Sequence, residues 1–520
     1  MNTQRIFLLI SSLFFNLALL AQDNTGMNLQ WQRSLGGSGW ERLSFQGVQE
    51  TTDGGSIVVG ETTSKDGDVS GGHGKADYWV VKLDQNGKTE WQKTLGGKHT
   101  DAAYAVQQCW DGGYLAVGQS SSKSDSGDVS THFGKYDAWL VKLDNSGEIS
   151  WERTIGSMYN EGALSIRPTL DGGYIMGGWR QPDTSNKYSA DFWIVKLDMN
   201  GLTEWEKTIG GSGDDVGLSV LQTYDGGYMI AGSSISTDNG IPKGNGDYDA
   251  YIVKLDHKGL QEWQTKIGGS NKEWVWDMQE TADKNYVLAG FSLSNDGDIK
   301  INKGAFDAWV AKIDQTGALI WQKTYGGSKN EEARSIVQTP DGGYMVAGYS
   351  ESSDGDLTTN YGGSDYWLFR LNDKGELLWQ QNYGGSGTDL AHSLVQNSDG
   401  TYTLSGYSAS TDNYITGHKG DHDIWMLKLA PANSTTINSV KLSASIEPNP
   451  LQANSILSIS GVNSGVYQLN IIDALGKIVY SGTIIDGKFP IGQQNLNKGF
   501  YIYRVNNAKE TIVKGNFIVN

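Results

Sequence analysis

Apolar and polar residues alternate with period two in short runs along most of the chain, and each run ends in a glycine-containing turn. In one stretch, TDAAYAVQQ reads as a strand and CWDGG as a tight hairpin. YLAVGQSS reads as a second strand, and after a long polar loop YDAWLVKLD reads as a third. Past the turn LDNSG, EISWERTIG reads as a fourth. The third strands, DYWVVKLD and its copies, are rich in aromatic and branched residues, which predicts a mostly buried pleated surface. No segment sustains a 3.6-residue period, so no amphipathic helix is expected.

The hairpin turn recurs at Asp53, Asp111, Asp171, Asp225, Asp283, Asp341 and Asp399, at spacings of 58, 60, 54, 58, 58 and 58 residues. Seven copies of a four-stranded antiparallel unit predict an all-β fold, a seven-bladed β-propeller over residues 28–429. The chain enters with a lone fourth strand, NLQWQRSLGG, and the last unit stops after its third strand, DIWMLKL. The N-terminal strand therefore supplies what the last blade lacks and is expected to close the ring. Third-strand aromatics (Trp79, Trp139, Trp193, Tyr251, Trp309, Trp367, Trp425) and fourth-strand tryptophans (Trp31, Trp91, Trp151, Trp205, Trp263, Trp321, Trp379) are read as packing between blades. The turn from Lys82-Leu83-Asp84 through Gly87 to Trp91, and its copies, resembles the tryptophan-docking hairpin of quinoprotein-type propellers. More loosely it resembles the Asp-box turn of sialidase-like propellers. The likeness implies architecture and carries no catalytic residue.

Composition narrows the setting. Residues 1–21 have Arg5, an apolar stretch and a Leu19-x-Ala21 cleavage site, as in a secretory signal peptide, and no other run is long enough to span a membrane. Cys109 is the only cysteine, so no intrachain disulfide is possible and a small buried hydrophobe is expected there. The net charge is −18; Arg5 and the C-terminal residues 441–520 (seven Lys/Arg, four Asp/Glu) are positive, leaving −22 on 23–440. Such a surface disfavours nucleic acid and anionic membranes as partners. A monomer is expected.

After a small polar linker, 430–440, the composition changes, and 441–520 read as a small β-sandwich of alternating strands and glycine turns. Pro448-Asn449-Pro450, Asp473 with Gly476-Lys477, Leu496, Gly499-Phe500-Tyr501 and Lys514 are similar in kind and order to the type A C-terminal sorting domain of the type IX secretion system of Bacteroidetes. The resemblance implies recognition by that machinery, export across the outer membrane, and either attachment at its surface or release.

Antiparallel order puts the long loops (fourth-to-first and second-to-third strand) on one face of the ring, which is the face expected to bind. One acid opens each first strand there: Glu41, Asp101, Glu161, Asp215, Glu273, Glu331 and Asp389. They read either as a ring at the channel mouth for a cation or polyhydroxyl ligand, or as repeated caps on backbone amides. The S-x-D-G-D loops, with Asp66/Asp68, Asp296/Asp298 and Asp354/Asp356, place oxygens at alternate positions, as calcium ligands or as ordinary Asp-Gly turns. Trp40, placed in a two-residue insertion, and Trp274 with Trp276, at the matching place in the fifth blade, are candidate sugar platforms. His418-x-x-x-His422 has metal-ligand residue types but lies in a loop. Arg167, Arg180, Arg334 and Arg370 are scattered through the repeat, and no nucleophile motif is present. The composite expectation is a secreted or cell-surface binding or adhesion propeller for a glycan or surface protein, without an evident catalytic site. The alternatives are a glycoside hydrolase or lyase on the same scaffold and a passive surface-layer component.

Overall fold

The computed structural model describes residues 26–123, 127–182 and 189–432, and C-terminally 443–447, 451–452, 455–460, 466–473, 477–485, 488–491, 496–506 and 511–519. The expected leader, 1–21, and the sorting-motif residues Pro448, Asn449, Pro450 and Gly476 lie outside them. Among the described residues there is no α-helix, and no helix long and apolar enough to cross a membrane.

Between Met27 and Pro431 the strands form seven antiparallel sheets. Six run outward in chain order; in the second blade, for example, the strands are Asp101–Gln108, Tyr114–Ser120, Asp137–Leu143 and Ile149–Ile155. The seventh combines Asp389–Gln396, Tyr402–Ser408 and Asp423–Pro431 with the N-terminal strand Met27–Leu35 at its outer edge. The ring is thus closed by pairing the two ends of the array, and pairing reaches Ala430 and Pro431, two residues past the expected boundary. In the first blade the inner strand is split into Glu41–Arg42 and Val48–Glu50, with Phe45 between them at φ 49°.

Third strands are buried along their whole length in blades one to six, and their five tryptophans and Tyr251, like Trp425 in the seventh, have no exposed surface. Six of the seven fourth-strand tryptophans instead lie on the glycine turn of the next blade; the exception, Trp379, faces the closing blade, which has no such turn, and packs on its core. A Cβ on Gly201 would sit 2.4 Å from the Trp151 ring, and one on Gly147 would sit 2.9 Å from Trp91. Trp31, on the closing strand, docks in the same way on Gly87 of the first blade. The Lys of each Lys-Leu-Asp turn is also buried, and its Nζ meets the hairpin aspartate of its own blade: Lys82–Asp53 2.9 Å, Lys142–Asp111 2.8 Å, Lys312–Asp283 2.7 Å. Blade-to-blade hydrogen bonds repeat at the inner-strand ends, where the Thr52 amide donates to Gln108 (2.9 Å) and the Leu170 amide to Gln222 (2.8 Å). The Ser398 amide donates to Glu50 (2.8 Å), carrying the same contact across the closure.

The C-terminal strands, from Ser443–Glu447 to Thr511–Val519, form one antiparallel seven-stranded sheet rather than two separate ones. Its first and last strands approach each other, so the sheet curls around Leu457, Leu469, Ile471, Ile484 and Phe517. Tyr501 stacks on Phe517 in this core and donates to the Asn497 carbonyl at 2.9 Å. Lys477 closes a turn on Asp473, Gly499 starts the strand Gly499–Asn506, and Lys514 pairs by backbone with Arg504.

Candidate functional site

The first-strand acids do not ring the channel mouth. All seven have no exposed surface. The carboxylates of Glu41, Asp101, Asp215, Glu273, Glu331 and Asp389 accept the amides of Gly37, Gly97, Gly211, Gly269, Gly327 and Gly385 at 2.7–2.8 Å, and Glu161 accepts from Ser157. Hydroxyls such as Thr62 and Ser292 complete the shells at 2.6 Å. The glycine before each capped amide is fixed by this arrangement. A Cβ on Gly268 would lie 2.2 Å from Asp249 Oδ1 and 2.5 Å from Glu273 Oε2. At each blade interface a third-strand aspartate thus lies beside a first-strand acid. Burial is the largest cause of raised third-strand values: Asp365 reaches about 7, Asp191 and Asp307 about 6.

The S-x-D-G-D aspartates also bind backbone. Asp66, Asp296 and Asp354 accept the amides of Ser38, Ser270 and Ser328 at 2.7–2.8 Å. Asp68, Asp298 and Asp356 accept those of Gly36, Gly268 and Gly326 at 3.0–3.1 Å. The two carboxylates of a loop pin two different amides instead of converging on one point. Among the described residues no three His, Cys, Asp or Glu side chains are grouped to hold a metal. His418 turns Nε2 to the Gly420 carbonyl (2.7 Å), and His422 packs against Tyr407.

Departures from the repeat converge at the inner strands. In blades two to seven each inner strand carries a bulge at its fourth residue: Tyr104, Leu164, Leu218, Trp276, Arg334 and His392. A bulge breaks the alternation and re-aims one side chain. Phe45 joins this set from the split strand, 5.3 Å from Tyr104 and 6.0 Å from Trp276. Arg334 lies over Trp276 at 3.7 Å and pairs with Glu332 at 2.6 Å. Glu332 also accepts Trp276 Nε1 (2.8 Å) and the Tyr349 hydroxyl (2.6 Å). His392 is buried with Nε2 unpartnered; desolvation, then Arg334, keeps its imidazole neutral. Together these side chains plug the long-loop end of the channel.

Two placements differ from expectation. Trp40 bridges to His422 as Thr100 does to Ala76, so it occupies a regular position, and the extra residues fall after it, at 43–47. Trp274 follows its acid, Glu273, whereas Trp40 precedes Glu41, so the two are not equivalent. Both are half-buried at the rim, Trp40 under Arg42 (4.9 Å) and Trp274 between Tyr248 and Trp276 (5.2 and 5.6 Å).

Below the plug the channel opens into a cavity of about 310 Å³, lined by the inner-strand halves next to the short Asp-Gly-Gly turns, not by the long loops. Its lining is mostly Gln, Ser and Val, with one cation, Arg167, and one acid, Asp277. Asp277 accepts from Gln46 (3.3 Å), Ser219 (3.4 Å), Ser335 (3.2 Å) and the amides of Met278 (2.9 Å) and Ile336 (3.1 Å). The cavity itself had no sequence signal. The arginines, scattered along the chain, separate in space: Arg167 enters the channel, Arg334 the plug, while Arg180 and Arg370 pair with Glu206 and Asp341.

Residues 445–520 match the secretion system C-terminal sorting domain, the type IX kind, and this tail indicates export to the cell surface or the medium. The regulatory protein FlaEY of Caulobacter vibrioides is 30% identical over 141 residues, which are 24% of this chain and 14% of that protein. The chain therefore spans only a small part of that relative's length. Among solved structures, a protein of unknown function from Dyadobacter fermentans covers 78% of this chain and 99% of its own at 12% identity and a TM-score of 0.39. YCF48 bound to D1 peptide covers 79% and 97%, at 12% identity and 0.40. Sqt1 from Chaetomium thermophilum covers 78% and 99%, at 10% identity and 0.41.

Proposed function

We propose that the chain is a binding propeller displayed outside the cell, held at the outer-membrane surface or released there, and that it engages a glycan or surface protein through its long-loop face. The observation that carries this reading is the confinement of asymmetry. Seven near-identical blades supply a rigid ring, while aromatic and cationic exceptions gather at one rim: Trp40 with Arg42, and Trp274 against Tyr248 and Trp276. Half-exposed aromatics beside cations suit stacking on sugar faces or anchoring a partner's side chains. Hydrolysis of a glycosidic bond ordinarily needs two facing carboxyls. The channel cavity offers one, Asp277, and the paired interface carboxyls are buried between blades, which favours binding.

Glycan-array binding of the secreted chain, with Trp40→Ala and Trp274→Ala alongside, tests the proposal. Specific binding weakened about fivefold or more by either change is expected, since a stacked aromatic contributes about 1 kcal/mol or more. Binding that both variants retain in full would move the site off this rim. Absence of binding to any arrayed glycan would leave a protein partner as the form of the proposal to pursue.

A further inference from the structure

The channel cavity contains a cation without an acceptor. Arg167 is the seventh residue of its inner strand, where the other eight-residue inner strands have Gln107, Leu221, Gln279, Val337 and Val395. Its guanidinium makes no hydrogen bond to any described residue and interacts with Asp277 only through charge. Asp277 does not supply the missing acceptors, because its oxygens already take three side-chain donors and two backbone amides. A guanidinium carries five N–H donors in a planar fork that matches a carboxylate. In this cavity that fork faces open space lined by side-chain amides and hydroxyls.

We infer that the channel is a binding site for a monosaccharide-sized sugar acid, its carboxylate held bidentately by Arg167 and its hydroxyls by surrounding Gln and Ser side chains. Size and charge both point this way. A volume of about 310 Å³ lies at the small end of ligand pockets and far exceeds an inorganic anion. Gln107, Gln279, Ser335 and Ser393 offer donors and acceptors for several hydroxyls at once. A single guanidinium within a domain carrying excess negative charge favours a monoanion over a polyanion. The site is separate from the long-loop rim and does not depend on the rim's role.

Calorimetric titration of the secreted full-length chain with D-glucuronate and D-glucose tests the inference, because the two sugars differ only in the carboxylate at C6. Saturable glucuronate binding at least tenfold tighter than glucose is expected. Arg167→Lys keeps the charge opposite Asp277 but loses the fork, and should weaken glucuronate binding tenfold or more. Arg167→Leu, the residue of the fourth blade, should abolish the preference. If that variant does not fold, the lysine variant alone decides. Trp40→Ala and Trp274→Ala should leave glucuronate affinity unchanged, which separates this site from the rim. An oligosaccharide ending in glucuronate distinguishes a chain end, bound like the free acid, from a free sugar acid, bound alone. Equal affinity for the two sugars, absence of saturable glucuronate binding, or unaltered affinity in both Arg167 variants would overturn the assignment.

Discussion

A tryptophan with no exposed surface and one lying half-open on the rim answer to different physics. Trp309 is enclosed on its third strand, so Trp309→Ala removes buried area and leaves a cavity, and a loss of about 3–5 kcal/mol is expected in denaturant unfolding. Trp40→Ala should cost about 1 kcal/mol or less, because the ring is half-exposed and its cation partner Arg42 faces solvent. The loop aspartates make a different prediction. Asp66 and Asp68, like Asp296 with Asp298 and Asp354 with Asp356, are committed to separate backbone amides. Millimolar calcium or EDTA should therefore leave the melting temperature unchanged. A calcium-dependent rise of several degrees would show that the loops rearrange to bind the ion.

At the scale of elements, the docking hairpin allows a matched comparison. Gly201 and Gly172 both have positive φ, 75° and 88°, so an added Cβ strains the backbone at both. Only at Gly201 does the Cβ also meet a ring, Trp151 at 2.4 Å; at Gly172 nothing lies within 4 Å. Gly201→Ala should thus destabilise more than Gly172→Ala by about 1 kcal/mol or more and red-shift tryptophan emission, and equal losses would deny the docking. The strand order, the closing strand and the tryptophan series were legible because each repeats seven times at nearly constant spacing. The fate of the acids was less so. Glu41 and Asp101 look like rim residues on sequence, and only the adjoining Gly-Gly turn, folded over them, reveals which amides they cap. The inner strands were the least legible. A bulge at Trp276 or Arg334 shifts the alternation by one residue, so period-two reading assigns the wrong side chains to the channel. The cavity around Arg167 is assembled from six blades, and no local pattern encodes it.

For the whole molecule, the buried carboxyls set a pH optimum. Asp365 titrates near 7 and Asp191 and Asp307 near 6 in the folded ring, against an ordinary 3.8, with burial the main cause. The folded state then binds protons more tightly than the unfolded chain, so stability rises as pH falls through that window. Asp283 acts oppositely: burial would raise it, but hydrogen bonds from Lys312 and Thr281 hold it at about 2. Its contribution is present above the unfolded value of 3.8 and is lost as pH falls from there towards 2. The melting temperature should climb from pH 8 to about 5 and drop below about 4, and a flat or rising profile towards pH 8 would contradict the buried pairs. The central claim is that a symmetric ring provides stability while its exceptions provide binding. Its most direct test is the variant Trp274→Ala/Trp276→Leu/Glu332→Ala/Arg334→Leu/His392→Leu, which gives the fifth to seventh blades the leucine of the third and fourth at the bulge and the fifth and sixth the alanine of the second beside the first-strand acid. Melting should stay within a few degrees of the parent while binding of the secreted chain to its glycan or cell-surface target is lost. Retained binding, or collapse of the ring, would contradict the account.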